Sequence, residues 1–498
     1  MALSTPPHLG VYFSCLLVFM LSTFHPHALI CVLPPSFLNM SLCISYAISF
    51  LAVIVCIVAY WYSQVYPPCY LVDFCCTEAE GNAVVTLEAF SKFLRTWRSV
   101  KESNLLFQER VFLRSGIGEE SYAPPRLIAK AEDTNLEDAR SETEGLISVA
   151  VKRLLQRVGV DAKAIDIVVV NSSLFNPTPS IAAFVVSTLH MRSNVKTFNL
   201  AGMGCSAGLV SIGLAKDLLK VHRNSYALVI STENITRNMY FGNSEKSMMV
   251  SNGLFRCGCS AILLSSKPSS RGHAKLRLLH CLRTHLGADK KAYDCVHHIE
   301  DEEGNPGVSL QFNLVEVAGS ALRANILKLA RSILPVSEIL KVLVSLVKQK
   351  VLKMAVKMYE PDFKKAIDHF CIHPGGRAVI DAIGKGLKLS AYDIEPGKMA
   401  LYRFGNTSSS GIWYALAYCE AKGRLRKGNK IWQIALGSGF KCNSGVWEVL
   451  RDIEPSESGR LNPWMSSIHK YPVTKTLEEC LAVSSKISSG PATFSKAT

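Results

Sequence analysis

The first 72 of the 498 residues contain no Asp, Glu, Lys or Arg, and the first formal charge is Asp73. A soluble domain does not open this way. Two apolar runs, Leu9 to Leu33 and Ser41 to Tyr66, are each long enough for the roughly 20-residue helix that crosses a hydrocarbon core. The first is interrupted by His25, Pro26 and His27, so it reads as a kinked span, a re-entrant segment or a signal peptide, although no basic region precedes it. A transmembrane helical hairpin over residues 1–72 is the preferred reading. Lys92, Arg95, Arg98 and Lys101 follow, which by the positive-inside tendency puts the bulk of the chain on the cytosolic side.

Paired cysteine motifs are also missing. Seven of the 16 cysteines lie in the first 76 residues and none forms a CxxC pair, so neither a disulfide framework nor a structural zinc site is indicated. Cys257 to Cys259 reads either as a metal or redox pair or as small buried residues entering a strand, and the second reading is preferred. Acidic residues are in short supply: Lys and Arg outnumber Asp and Glu by 55 to 40, giving a net charge of +15. That balance favours anionic partners such as phosphates, nucleic acid or an acidic membrane face.

After a helix-leaning connection over residues 73–125, β-branched runs alternate with amphipathic helical stretches, the pattern of an α/β domain. Ile165 to Asn171, Val195 to Leu200 and Tyr226 to Thr232 are predicted strands. A second series is predicted at Asp368 to Pro374, Met399 to Gly405 and Lys430 to Gly437. Asn171 to Cys205 and His373 to Asn406 span nearly equal intervals, so the chain reads as two copies of one unit, over residues 126–300 and 361–455. A pseudo-twofold axis between such copies would bring Cys205, His373 and Asn406 together. Residues 301–360 form an insertion between the halves. Within it Ile339 to Met358 is basic and apolar, either a helix packing on the domain or one whose lysines meet acidic lipid. Residues 456–498 are expected to be a tail, its last twenty or so residues disordered.

Asn199 to Leu209 surrounds one cysteine with glycines, alanines and a serine. A strand ends at Leu200 and a helix is predicted from about Cys205, where a helix N-terminus favours thiolate and the missing bulk leaves room for a substrate carbonyl. Close packing around an inert cysteine is the competing reading. His373 ends a strand before Pro374, Gly375 and Gly376, Asn406 lies in a tight turn, and backbone N–H groups of Gly437, Ser438, Gly439 and Phe440 are suited to an oxyanion. Each has a structural reading alone; together they are the parts needed to form and use an acyl thioester.

These stretches, with "SGIGEESYAPP", "SLFNPTPS", "STENITRNMYFGN", "RTHLGAD", "GVSLQ", "HFCIHPGGRAVID", "YRFGNTSSSGIWY" and "NPW", resemble the plant 3-ketoacyl-CoA synthases, condensing enzymes of very-long-chain fatty acid elongation. The resemblance runs from about Leu71 to Tyr471. It implies a thiolase-like, pseudo-duplicated α/β fold and an endoplasmic reticulum membrane anchor with the catalytic domain facing the cytosol. It further implies a decarboxylative Claisen condensation of acyl-CoA with malonyl-CoA through a Cys205 thioester, with no cofactor and no metal. His373 and Asn406 would complete a triad, His285 and His369 would be functional, and the Cys205 N–H with the Gly437–Phe440 loop would hold the oxyanion. Implied partners are membrane lipid, other elongase components and a second copy joined through the third strand of the first unit, with no nucleic acid. Lys422, Arg424, Arg426 and Lys427 are candidates for the CoA phosphates.

The chain departs from the family at Ala201, where many members have Gly, at Tyr402, where many have His, and at Cys257 to Ser260. A noncatalytic homologue that modulates an active synthase is the alternative reading. A papain-like protease also uses Cys, His and Asn, but it predicts secretion and disulfides.

Overall fold

The computed structural model describes residues 45–55, 67–78, 84–98 and 100–473. The chain divides into two units, meeting at Pro67 and Pro68. Of the first, residues 45–55 are helical. The expected span Leu9 to Leu33 and most of Ser41 to Tyr66 lie outside the described residues, among which no helix is long and apolar enough to cross a membrane.

In the second unit, strand β1 (Tyr70–Cys76) is buried along its whole length. It belongs to the sheet, not to the anchor or the connecting segment; its apolar run simply continues the charge-free stretch before it. The first half continues with β2 (Ile167–Asn171), β3 (Lys196–Leu200), helix α1 (Ala207–Val221), β4 (Tyr226–Glu233), α2 (Lys246–Leu254) and β5 (Gly258–Ser265). Cys257 and Cys259 are buried as β5 begins. The second half opens on β6 (Leu276–His285), a hairpin of β7 (Val296–Glu300) and β8 (Pro306–Leu310), then α3 (Leu314–Ile333) and α4 (Val336–Leu346). It closes with β9 (His369–Ile372), α5 (Arg377–Gly386), α6 (Ala391–Phe404), α7 (Gly411–Ala421), β10 (Lys430–Gly437) and β11 (Lys441–Val449).

The sheet has two similar series, with bounds other than the expected 126–300 and 361–455: β1 belongs to the first, and β6 with the β7–β8 hairpin to the second. Its order is β9-β10-β11-β6-β1-β5-β4-β2-β3, two similar series meeting where β1 and β6 run antiparallel over Tyr70↔Arg277 and Leu71↔Leu276. Outward from that seam each half has two antiparallel pairings and then a parallel one. Only the first half adds a further parallel strand, β3. The strand expected at Met399 to Gly405 is instead the last part of α6, which opens on a capping box between Ser390 and Asp393. That box commits the segment to helix before the apolar run is reached.

All residues of α7 are buried, and α1 is buried along most of one side. Helix α1 packs on β2 and β4 of the first half and on β6 and β11 of the second, while α7 packs on β9, β10 and β1. The two helices form a central layer, and the turns that start them hold Cys205 and Asn406.

At the seam Lys275 Nζ lies 2.5 Å from Asp73 and 2.6 Å from Glu420, with all three side chains buried. Residues expected in the tail also pack: Trp464 and Tyr471 are buried, with the Trp464 ring edge-on to Tyr418 of α7. The remainder of that tail lies outside the described residues. Strand β4, the third of the first unit, is paired on both sides. It cannot also pair with a second copy; the edge strand of the first half is β3, and the other edge of the sheet is β9.

Candidate active site

The bare surroundings of Cys205 are explained by what presses on them. Gly202 and Gly204 hold φ values of +65° and +64°, a region that costs a side chain but not glycine. They turn the chain from β3 into a single turn, Gly204–Ser206, that leads into α1. A Cβ on Gly204 would lie 2.4 Å from Ser438 N, and one on Gly437 2.4 Å from Ser206 Oγ. The cysteine turn and the Gly437–Phe440 loop interlock at backbone distance, which only glycine permits.

His373 sits just past β9, held by its backbone N–H donating to Ile434 O at 2.9 Å. The residue is 4% exposed, and neither ring nitrogen has a hydrogen-bond partner among the described residues. Burial lowers its pKa to about 4, so the imidazole is neutral near pH 7 with both nitrogens uncommitted. Asn406 is fixed from both sides, its N–H donating to Leu254 O and its carbonyl accepting from Arg256 N, each at 3.0 Å. Its Oδ1 accepts from Ser408 N at 2.9 Å and its Nδ2 donates to Gly375 O at 3.4 Å.

The side chains of Ser408 and Asn406 are within hydrogen-bond reach of the Cys205 thiol. Even so, burial pushes that thiol up to about 11, with the nearby Glu233 carboxylate also raising it. The expectation of a thiolate at a helix start is therefore corrected: desolvation outweighs the favourable groups around the sulfur. The resting pair is a thiol beside a neutral imidazole.

Cys205, His373, Asn406 and the loop from Gly437 to Phe440 line one cavity of about 350 Å³, whose further walls include Val296, Val308, Leu310, Leu314, Ala318 and Leu436. The two other predicted histidines are elsewhere, and His297 and His298 of β7 line the cavity instead. His285, at the end of β6, is exposed and accepts from Gly287 N at 2.9 Å. His369 begins β9, whose ~3.3 Å rise per residue puts it about 13 Å along the strand from His373, and its Nε2 contacts Asn429 Oδ1 at 3.2 Å. Neither lines the cavity. Three of the four basic-loop candidates are likewise occupied elsewhere, Arg424 by Glu395, Arg426 by Glu454 at 2.7 Å and Lys422 by Tyr471 O, while Lys427 is exposed and outside the cavity lining. Tyr402 faces away too, its ring packed edge-on to Tyr471. Among the described residues no three His, Cys, Asp or Glu side chains converge to hold a metal ion.

Sequence reasoning passed over Glu233 and Ser408. Buried Glu233 accepts from Ser173 N and Leu174 N, each at 3.0 Å, and from Ser172 Oγ and Ser408 Oγ, each at 3.1 Å. It thereby locks the Ser408 hydroxyl beside the thiol. A carboxylate ending the otherwise uncharged Tyr226–Glu233 run was the available signal. The hairpin of β7 and β8, which supplies part of the apolar wall, was marked only by the stretch Gly307 to Gln311.

Comparison with known proteins agrees with this geometry. A family model described as FAE1/Type III polyketide synthase-like protein matches residues 62–351, and one for the C-terminal part of 3-oxoacyl-[acyl-carrier-protein] synthase III matches residues 363–449. Among solved structures, CsyB complexed with CoA-SH has a TM-score of 0.61 at 18% identity, covering 76% of this chain and 100% of that one. The tetrahydroxynaphthalene synthase of Streptomyces coelicolor A3(2) also has 0.61, at 16% identity, covering 76% and 99%. These fix the fold as thiolase-like, of the type III polyketide synthase kind. From Arabidopsis thaliana, 3-ketoacyl-CoA synthase 9 is 50% identical over 81% of this chain and 78% of its own length. 3-Ketoacyl-CoA synthase 4 is 49% identical over 82% and 78%. By its sequence, this chain belongs to the 3-ketoacyl-CoA synthase family.

Proposed function

We propose that the chain condenses long-chain acyl-CoA with malonyl-CoA in very-long-chain fatty acid elongation, with Cys205 carrying the acyl group. The observation that carries this reading is a thiol, an uncommitted imidazole and a carboxamide sharing one cavity with apolar walls. Because the thiol is protonated at rest, attack on the acyl-CoA carbonyl needs a base. His373 takes the sulfur proton and returns it to the departing CoA thiolate. The Cys205 N–H and a backbone N–H of the Gly437–Phe440 loop receive the carbonyl oxygen as its negative charge develops. Malonyl-CoA then enters and its carboxylate leaves as CO2. His373 and the Asn406 amide donate to the thioester oxygen of the resulting enolate, which attacks the Cys205 thioester and releases the sulfur as thiolate. Apolar walls keep water from the thioester.

For the CoA phosphates the supporting feature is a groove of about 420 Å³ lined by Arg110, Arg114 and Arg377, which shares Leu314, Gly375 and Val379 with the catalytic cavity. The charge-free N-terminus supports an endoplasmic reticulum anchor with the catalytic unit in the cytosol, and the unpaired edge of β3 supports a homodimer. Other elongase components are expected to act on the product. His285 and His369 act in this reading through position, outside the reacting centre.

The test is to supply membranes carrying the full chain with labelled malonyl-CoA and a panel of long acyl-CoAs. Labelled 3-ketoacyl product, absent with Cys205→Ala, is expected. No product above that control across the panel would overturn the reading.

A further inference from the structure

Helix α4 packs Ile339 against the core but is otherwise inverted. Its buried residues are Glu338 and Ser345, whereas Val336, Leu340, Leu343, Val344, Val347 and Val351, on α4 and the turn continuing it, are 48% to 71% exposed. Polar bonds hold it in this orientation. Glu338 accepts from Tyr359 Oη and Lys365 Nζ, both at 2.6 Å, from Lys341 Nζ at 3.0 Å and from Asp362 N at 3.1 Å. Ser345 Oγ accepts from Tyr359 N at 2.8 Å. The helix is thus fastened to the following segment by its polar residues and turns its apolar stripe outward. An ordinary surface helix does the reverse, and contiguous exposed apolar surface of this kind marks an interaction site.

The charge beside the stripe selects the partner. From Ile339 to Tyr359 there are five lysines and no Asp or Glu. Lys348, Lys350 and Lys353 are exposed and pair with no carboxylate among the described residues. A second copy placed on the same face would bring these lysines against each other, whereas an anionic lipid surface satisfies both the apolar stripe and the flanking cations. We infer that α4 and the turn to Val351 form an interfacial membrane contact, the Leu and Val side chains entering the acyl boundary of the leaflet while Lys348, Lys350 and Lys353 meet anionic headgroups. This contact is separate from any spanning segment and does not depend on the condensing reaction.

The test uses the full chain in lipid nanodiscs with and without phosphatidylserine, carrying a photo-crosslinker as Leu343→benzoylphenylalanine or, for comparison, as Asp161→benzoylphenylalanine. A lipid adduct at position 343 several-fold above that at 161, enhanced by phosphatidylserine, is expected. Lys348→Gln, Lys350→Gln and Lys353→Gln should each reduce the enhancement, by roughly fivefold per lysine, while leaving condensing activity in detergent unchanged. A position-343 adduct to a second copy or to another protein, or lipid labelling no greater than at 161, would overturn the inference. So would labelling indifferent to both phosphatidylserine and the lysine substitutions.

Discussion

The protonation state of Cys205 makes a prediction that separates this site from a thiolate–imidazolium pair. With its pKa raised to about 11, roughly one thiol in ten thousand is ionised at pH 7. Alkylation by iodoacetamide, followed by mass spectrometry of the peptide containing Cys205, should therefore rise about tenfold per pH unit from pH 7 to 10 without a plateau. Two substitutions should move it in opposite directions. Glu233→Gln removes a carboxylate that raises the thiol pKa, so alkylation at pH 8 becomes faster; Asn406→Ala removes an amide donor that favours the thiolate, so it becomes slower. His373→Asn should leave the alkylation profile nearly unchanged, because the ring is neutral throughout, yet abolish acylation by acyl-CoA, where the ring must accept the proton. A plateau beginning at or below pH 7, lost in His373→Asn, would show an ion pair and refute the reasoning.

Other outcomes follow from the same contacts. His373 is depressed to about 4 from an unfolded value near 6.5, so the unfolded state binds a proton that the native ring refuses. Its contribution, fully present above pH 6.5, is lost as the pH falls towards 4, by about 2 kcal/mol at pH 5; thermal melts should show a smaller acid loss for His373→Asn. Asn406→Asp removes an amide donor beside the thiol and should lower kcat by about a hundredfold or more in the condensation assay. Lys275→Met strands two buried carboxylates at the seam, costing about 3 kcal/mol or more in urea titrations, most of it recovered when Asp73→Asn and Glu420→Gln are added. Gly204→Ala should impair acylation because its methyl meets Ser438 N at 2.4 Å, and Gly202→Ala, where no atom lies within 4 Å, should cost less.

The sequence made the duplicated unit legible because buried parallel strands are continuous apolar runs, as in Ile167–Asn171 and Tyr226–Glu233, and because the turns after them are short and small. It misled where apolar runs carry no period. Met399 to Phe404 reads as a strand until Ser390 and Asp393 are recognised as a helix start, and Tyr70–Cys76 is split between anchor and connecting segment at Asp73, whose charge is paired in the fold by Lys275, two hundred residues away. His373 and Asn406 were marked by the glycines and serines around them. Glu233 and Ser408 were not, since their roles depend on a hydrogen bond between halves of the chain that no local pattern announces. The inverted face of α4 was open to both readings from sequence, because direction is set by the bonds of Glu338 rather than by the stripe itself.

The central claim is that the Cys205 sulfur carries the substrate. Incubating the full chain with a long-chain acyl-CoA in the absence of malonyl-CoA, then digesting under acid conditions, should give one acyl mass increment on the peptide containing Cys205. Malonyl-CoA should remove that increment, and Cys205→Ala should prevent it. An acyl group on another residue, or product formed by Cys205→Ala, would contradict the account.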